Sequence, residues 1–247
     1  MKKKLQIYKM IDKSESYYTK KDRIADLPFR MIICGKSQLS GKSNFCCNML
    51  LLSEFYLKDF DGKNIFIISP SIHSDPKLET LIEEKEIPAR NTFDFYDEEL
   101  VEAIYQMIED EYIEHVEKKK KPPNFLIFFD DLSSTGIFKA KSFGIINTIF
   151  SRGRHINLSV IMTAQKATDC PTNAFENMTM GVFFSCSDRQ MDKIEHDVNY
   201  HTNRKDFKKK FRDVTKESHS FLCVNFSNPP DEMYLDKNFE PIDFTED

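Results

Sequence analysis

Residues 29–43 read FRMIICGKSQLSGKS, and the fold turns on how they are interpreted. The first six are a short apolar run meeting Gly35, the pattern of a buried strand that ends at a loop. From Lys42 the sequence KSNFCCNMLLLSEF has no Gly or Pro and is long enough for a helix. A strand, a glycine-bearing loop and Gly-Lys-Ser opening a helix is what triphosphate binding requires. Backbone N–H groups and the helix N-terminus face the β-phosphate, Lys42 neutralises the β/γ oxygens, and the Ser43 hydroxyl ligates Mg²⁺. Gly41 lets the backbone approach the phosphate closely. The binding stretch is then Gly35, Lys36, Ser37, Gln38, Leu39, Ser40, Gly41, Lys42, Ser43 and Asn44. Its spacing departs from the usual motif, with five residues between Gly35 and Gly41 where four are standard. Either Lys36 stands at the usual first-glycine position or the loop is one residue longer.

Downstream, strands and helices alternate. NIFIIS (64–69) is an apolar strand closed by Pro70, and Asp75 to Glu86 is a helix with Pro76 in its first turn. A short strand near Thr92 to Tyr96 precedes a helix from Asp97 to Lys121. Along that helix Leu100, Ile104, Met107, Ile108, Tyr112 and Val116 keep one face, with acids at its start and lysines at its end. Pro122 and Pro123 end it. FLIFF (125–129) has no wet face, which implies a parallel sheet covered on both sides. The remaining expectations are a helix over 138–150, strands over 156–163 and 180–185, a helix over 188–198 and a strand over 220–225. This alternation predicts an α/β fold with a mostly parallel central sheet and helices on both faces.

Composition agrees with a folded chain: 40% hydrophobic and 30% charged residues, 22 Phe and 9 Tyr, in a length that suits one or two domains. Only seven of the 247 residues are Gly, about 3% against a usual ~7%, and two of them lie in the phosphate loop. No apolar run exceeds five residues, so no membrane contact is expected. The start, MKKKLQIYKM, lacks the apolar centre of a signal peptide, and the six Cys lack zinc spacing and read as buried free thiols. The net charge is −5, yet residues 228–247 hold seven acids and one Lys, so the body is nearly neutral and any polyanion contact must be local.

The FLIFF strand runs into Asp130 and Asp131, at the end of a sheet strand where such folds hold ligands. Asp130 is assigned to Mg²⁺ and Asp131 to the attacking water as general base; taken alone, the pair could equally cap a turn. In SRGRHINLSVIMTAQ (151–165) the strand has Arg152 and Arg154 before it and Thr163 and Gln165 at its exit. Gln165 is expected beside the γ-phosphate. The arginines lie at the far end, where they are either solvated or act as a finger on a neighbouring subunit's nucleotide.

GKSQLSGKS, LIFFDDL and above all GRHINLSVIMTAQ resemble the FtsK-HerA branch of P-loop ATPases, and within it the poxvirus-type genome-packaging ATPases of large DNA viruses and virophages. The resemblance covers roughly residues 29–165. It implies a RecA-like P-loop NTPase fold that uses ATP and Mg²⁺, assembles with itself into a pentameric or hexameric ring, and pumps double-stranded DNA into a capsid. It also implies a capsid or portal protein as a further partner and a location in the host cytoplasm at the viral factory, extending to the virion. By residue, it implies Lys42 and Ser43 on phosphate and Mg²⁺, Asp130 and Asp131 as the acidic pair, Gln165 as sensor, and Arg154, with Arg152 as the second candidate, as finger. The chain would divide into an N-terminal extension (1–28), the ATPase domain (29–227) and an acidic tail (228–247).

Two rivals differ in chemistry. A small-molecule kinase needs an arginine-bearing lid, and no insertion of that kind is evident. A regulatory GTPase needs an Asn-Lys-x-Asp motif, which NRKD (203–206) misses. KDFKKKFR (205–212) is compatible either with a backbone-tracking DNA surface or with an amphipathic helix whose Phe207 and Phe211 point inward. The tail is left to dock on a neighbour, on a capsid protein or on nothing.

Overall fold

The computed structural model describes residues 13–37, 40–132, 144–200 and 203–244. Eight strands form one sheet: β1 (Arg30–Cys34), β2 (Ile65–Ile68), β3 (Thr92–Phe93), β4 (Phe125–Phe129), β5 (Leu158–Ala164), β6 (Met180–Phe184), β7 (Phe221–Asn225) and β8 (Tyr234–Leu235). Their order is β3-β2-β4-β5-β1-β6-β7-β8. The first six run parallel, and β7 and β8 are added antiparallel at one edge. The expected α/β architecture is therefore present.

Residues within each strand alternate between two apolar layers. Ile32 and Cys34 of β1, with Phe125, Ile127 and Phe129 of β4, pack under α3 (Glu98–Glu117), α4 (Gly144–Arg152), α5 (Thr172–Asn177), α6 (Asp188–Val198) and α7 (Arg204–Val214). Met31 and Ile33, with Leu126 and Phe128, face α1 (Lys42–Leu51) and α2 (Pro76–Glu84). FLIFF is apolar throughout because both of its faces are covered. Helix starts follow ordinary capping: Asp75 accepts from Lys77 N, Asp97 from Leu100 N, and Asn203 from Lys205 N and Asp206 N.

Several expectations change. The helix expected over 138–150 begins, among the described residues, at Gly144, and 138–143 lie outside them. The basic stretch 205–212 lies in α7, with Phe207 and Phe211 fully buried, so its inward-facing reading holds. The segment after Asn228 is not a free tail: β8 pairs with β7, and Phe244 stacks on Tyr234 at 4.4 Å. Acid counting hid this, because Met233, Tyr234, Leu235 and Phe244 are apolar anchors set between the acids. At the other end, Ile24, Ala25 and Leu27 are buried in the layer that contains α1. Among the described residues no helix is long and apolar enough to cross a membrane.

Candidate nucleotide site

The loop between β1 and α1 closes on itself. Ser40 Oγ donates to Lys36 O at 2.8 Å, and the buried Lys42 ammonium donates to Gly35 O at 2.7 Å. A Cβ on Gly35 would stand 2.6 Å from the Ser40 Cβ and 3.0 Å from the Phe184 Cβ. The close turn therefore requires glycine at 35, while Lys36 is exposed. A side chain therefore fits at 36 but not at 35. Gly41 is required for a different reason, its φ of +89°, a left-handed conformation that side chains rarely adopt. Gln38 and Leu39 lie outside the described residues.

Strand register builds the acidic half of the site. Ile68 is level with Phe129, Phe129 with Met162, and Thr163 with Ile33. The next residue along each strand therefore puts Ser69, Asp130 and Thr163 in one row on the α1 face. Asp130 accepts from Ser69 Oγ at 2.9 Å and from Thr163 Oγ1 at 2.7 Å. Burial pushes its carboxyl above the ordinary range; the two hydroxyl donors and, more weakly, Lys42 act against that, while Asp131 adds to it. Asp131 sits at φ 48°, in the left-handed region. Its N–H donates to Thr163 Oγ1 at 2.9 Å, and its carboxylate oxygens accept from Gln165 Nε2 at 2.9 and 3.2 Å. Gln165 thus lies on the second aspartate, because β5 runs between β1 and β4.

A cleft of about 200 Å³ joins the two halves, lined by Ser37, Ser40, Gly41, Lys42, Ser43, Asp130 and Asp131. Ser71, Asp75 and Lys77 line its outer side, and sequence reasoning did not connect them to the loop. Ser69 was also missed, although a hydroxyl ending an apolar strand beside FLIFFD is a legible signal. The donor set suits Mg²⁺. Ser43 and Asp130 are hard oxygen donors in one cleft, and each Asp130 oxygen keeps a lone pair beyond its single hydrogen bond. Among the described residues there is no cluster of three or more His, Cys, Asp or Glu that could hold a metal ion.

The two candidate arginines are elsewhere. Arg152 ends α4 and Arg154 follows it in a 3₁₀ turn ahead of β5, both exposed and at the opposite end of that strand from Gln165. Among the described residues neither is ion-paired. Arg154 instead lies near Arg30, whose guanidinium is lowered to about 10 by burial and then by the Arg154 charge.

A protein-family model described as Poxvirus A32 protein matches residues 16–225. The chain belongs to that family. Among curated proteins none matches the sequence. Solved structures similar to this A32-family chain include B204, the DNA-packaging ATPase from Sulfolobus Turreted Icosahedral Virus, at 14% identity over 88% of this chain and 99% of that one, with a TM-score of 0.54. The genome packaging NTPase B204 from Sulfolobus turreted icosahedral virus 2 in complex with AMPPCP is similar at 15% identity, 81% and 93% coverage and a TM-score of 0.51. EssC (ATPases 2 and 3) from Geobacillus thermodenitrificans is similar at 16% identity, 71% and 36% coverage and a TM-score of 0.50. At these identities the likeness establishes the fold, that of P-loop NTPases. Within that fold the A32-family chain brings Lys42, Ser43, Asp130 and Asp131 to one cleft, with Gln165 behind Asp131 and the arginines remote from it.

Proposed function

We propose that this protein is an ATP-hydrolysing motor that drives viral double-stranded DNA into a capsid as a ring of identical subunits. The observation that carries the reading is the single cleft in which the loop lysine and serine face two adjacent carboxylates, one buried and one held by a glutamine amide. Lys42 binds the β/γ oxygens, and the loop N–H groups together with the N-terminus of α1 take the β-phosphate. Mg²⁺, on the Ser43 hydroxyl and held through Asp130, would supply further charge neutralisation. Asp131 accepts the proton of the attacking water, and Gln165 fixes the direction of its carboxylate. Movement of the γ-phosphate alters what Asp131 faces, and Gln165 carries that change to β5, which leads back to the turn that bears Arg154.

The trans role for Arg154, with Arg152 as the second candidate, is supported by their exposure and by their lack of an acidic partner among the described residues. A neighbour in a ring would receive that charge at its own cleft. The packaging assignment is supported by family membership and by the likeness in fold to B204, a DNA-packaging ATPase. It carries with it double-stranded DNA as substrate, a capsid or portal protein as docking partner, and the host cytoplasm and virion as locations. Residues 29–227 carry the ATPase motifs, and the flanks complete the same domain, since Ile24, Ala25 and Leu27 pack in the α1 layer and β8 joins the sheet.

The test is the ATPase rate against DNA concentration, measured together with the mass of the nucleotide-bound assembly. DNA should raise the rate, and the mass should be a multiple of the 29.0 kDa chain. Lys42→Ala should abolish turnover. Turnover unaffected by that change, or a monomer indifferent to DNA, contradicts the reading.

A further inference from the structure

On the other side of the phosphate loop from the carboxylates lies a larger hollow of about 470 Å³, which shares Ser40, Gly41 and Lys77 with the acidic cleft. Its size is that of a small-ligand pocket, and its wall is aromatic. Phe239 lies 5.3 Å from Phe55 and 6.0 Å from Phe221, ring centre to ring centre, with Phe45 behind at 5.2 Å from Phe221. Phe239 and Phe55 are only partly buried, so ring surface faces the opening.

The backbone around this hollow is strained in two places. His219 has φ 63° and Phe239 φ 60°, left-handed conformations that are costly for non-glycine residues and cluster at ligand sites. They flank β7 and β8, and both line the same hollow. The His219 ring is also pinned to the phosphate loop: Nδ1 lies 3.4 Å from Ser40 O and 3.3 Å from where a Cβ on Gly41 would stand. An extended ligand with its charged end between Lys42 and Asp131 and its other end leaving past Gly41 reaches an apolar, aromatic wall.

We propose that this hollow seats the nucleobase of the bound triphosphate, with the base stacked on Phe239 and Phe55 and the His219 ring beside the sugar and α-phosphate. The proposal rests on the phosphate-loop reading above and adds to it the group that distinguishes a nucleotide from a bare polyphosphate. It also gives the C-terminal segment a role, because Phe239 lies in the stretch that sequence reasoning set aside as a tail.

Equilibrium binding of Mg·ATP and of Mg·inorganic triphosphate to the full chain separates the two parts. Wild type should bind ATP the more tightly. Phe239→Ala should lose about tenfold on ATP, as expected for one lost stacking contact, with triphosphate affinity held within about twofold, while Lys42→Ala should weaken both ligands. Phe55→Ala, at the rim of the hollow, should repeat the ATP-selective loss and serves if Phe239→Ala does not fold. Equal affinity of wild type for the two ligands overturns the base seat and leaves the phosphate loop standing. So does a Phe variant that binds ATP normally or weakens both ligands alike. Failure of wild type to bind either ligand overturns the phosphate loop itself, and the base seat with it.

Discussion

Asp130 and Asp131 are neighbours in sequence with opposite surroundings. Asp130 is buried and held by two hydroxyls, whereas Asp131 turns outward through a left-handed φ to meet Gln165. For Asp130 the folded carboxyl is raised by burial, so the native state binds protons that the unfolded chain has already released. Stability then falls as pH rises from the ordinary carboxylate range through the raised value. Asp130→Asn should therefore melt at a temperature equal to or above wild type at pH 7, with the difference shrinking on acidification, while Mg²⁺-dependent turnover is lost. A melting point well below wild type at pH 7 contradicts this. Asp131→Asn keeps the shape of the side chain and removes its basicity, so nucleotide affinity should hold while turnover drops by about 10²-fold or more. Single-turnover hydrolysis against an unchanged ATP dissociation constant checks it.

At the scale of elements, α7 illustrates how charge and packing divide labour. Arg204 and Lys208 pair with Asp192, and Arg212 with Asp188, all across to α6. These contacts are largely solvent-exposed and lie over a seam of buried rings, where Phe207 faces Phe244 at 5.3 Å and Tyr234 at 6.4 Å. Surface ion pairs contribute little to stability and buried aromatics contribute much. Phe207→Ala should destabilise by about 3–5 kcal/mol in denaturant unfolding, whereas Arg204→Ala should leave the midpoint essentially where it is. The reverse order would mean that α7 is held by charge. The central strands work by register: Thr163 donates to Asp130 and accepts from Asp131, so one β5 hydroxyl sets both carboxylates. Thr163→Val keeps the strand shape and should lower turnover more than it lowers stability, as read by comparing kcat with the unfolding midpoint.

At the scale of the whole molecule, Arg154 and the cleft occupy opposite ends of β5, so one chain cannot bring them together. If the arginine serves a neighbour, mixing inactive Arg154→Ala subunits with inactive Lys42→Ala subunits should restore part of the ATPase rate, because some interfaces then combine an intact cleft with an intact arginine. No recovery at any mixing ratio points to Arg152 or to a role within the subunit. By itself the sequence determined the parallel sheet, the phosphate loop, the acid pair and the exit glutamine, because each is written in local pattern: apolar runs, Gly-Lys-Ser, Asp-Asp after FLIFF. It could not determine that Ser69, Asp130 and Thr163 share a row, that Gly35 is required by the approach of Ser40, or that Tyr234, Phe239 and Phe244 return to the sheet. Those depend on pairing between residues 130 and more positions apart, as when Phe29 N donates to Ser159 Oγ and Arg30 N to Thr179 Oγ1. Only the folded chain brings such residues level, since strand order and register follow from burying both faces of the sheet at once, a condition that no single segment carries.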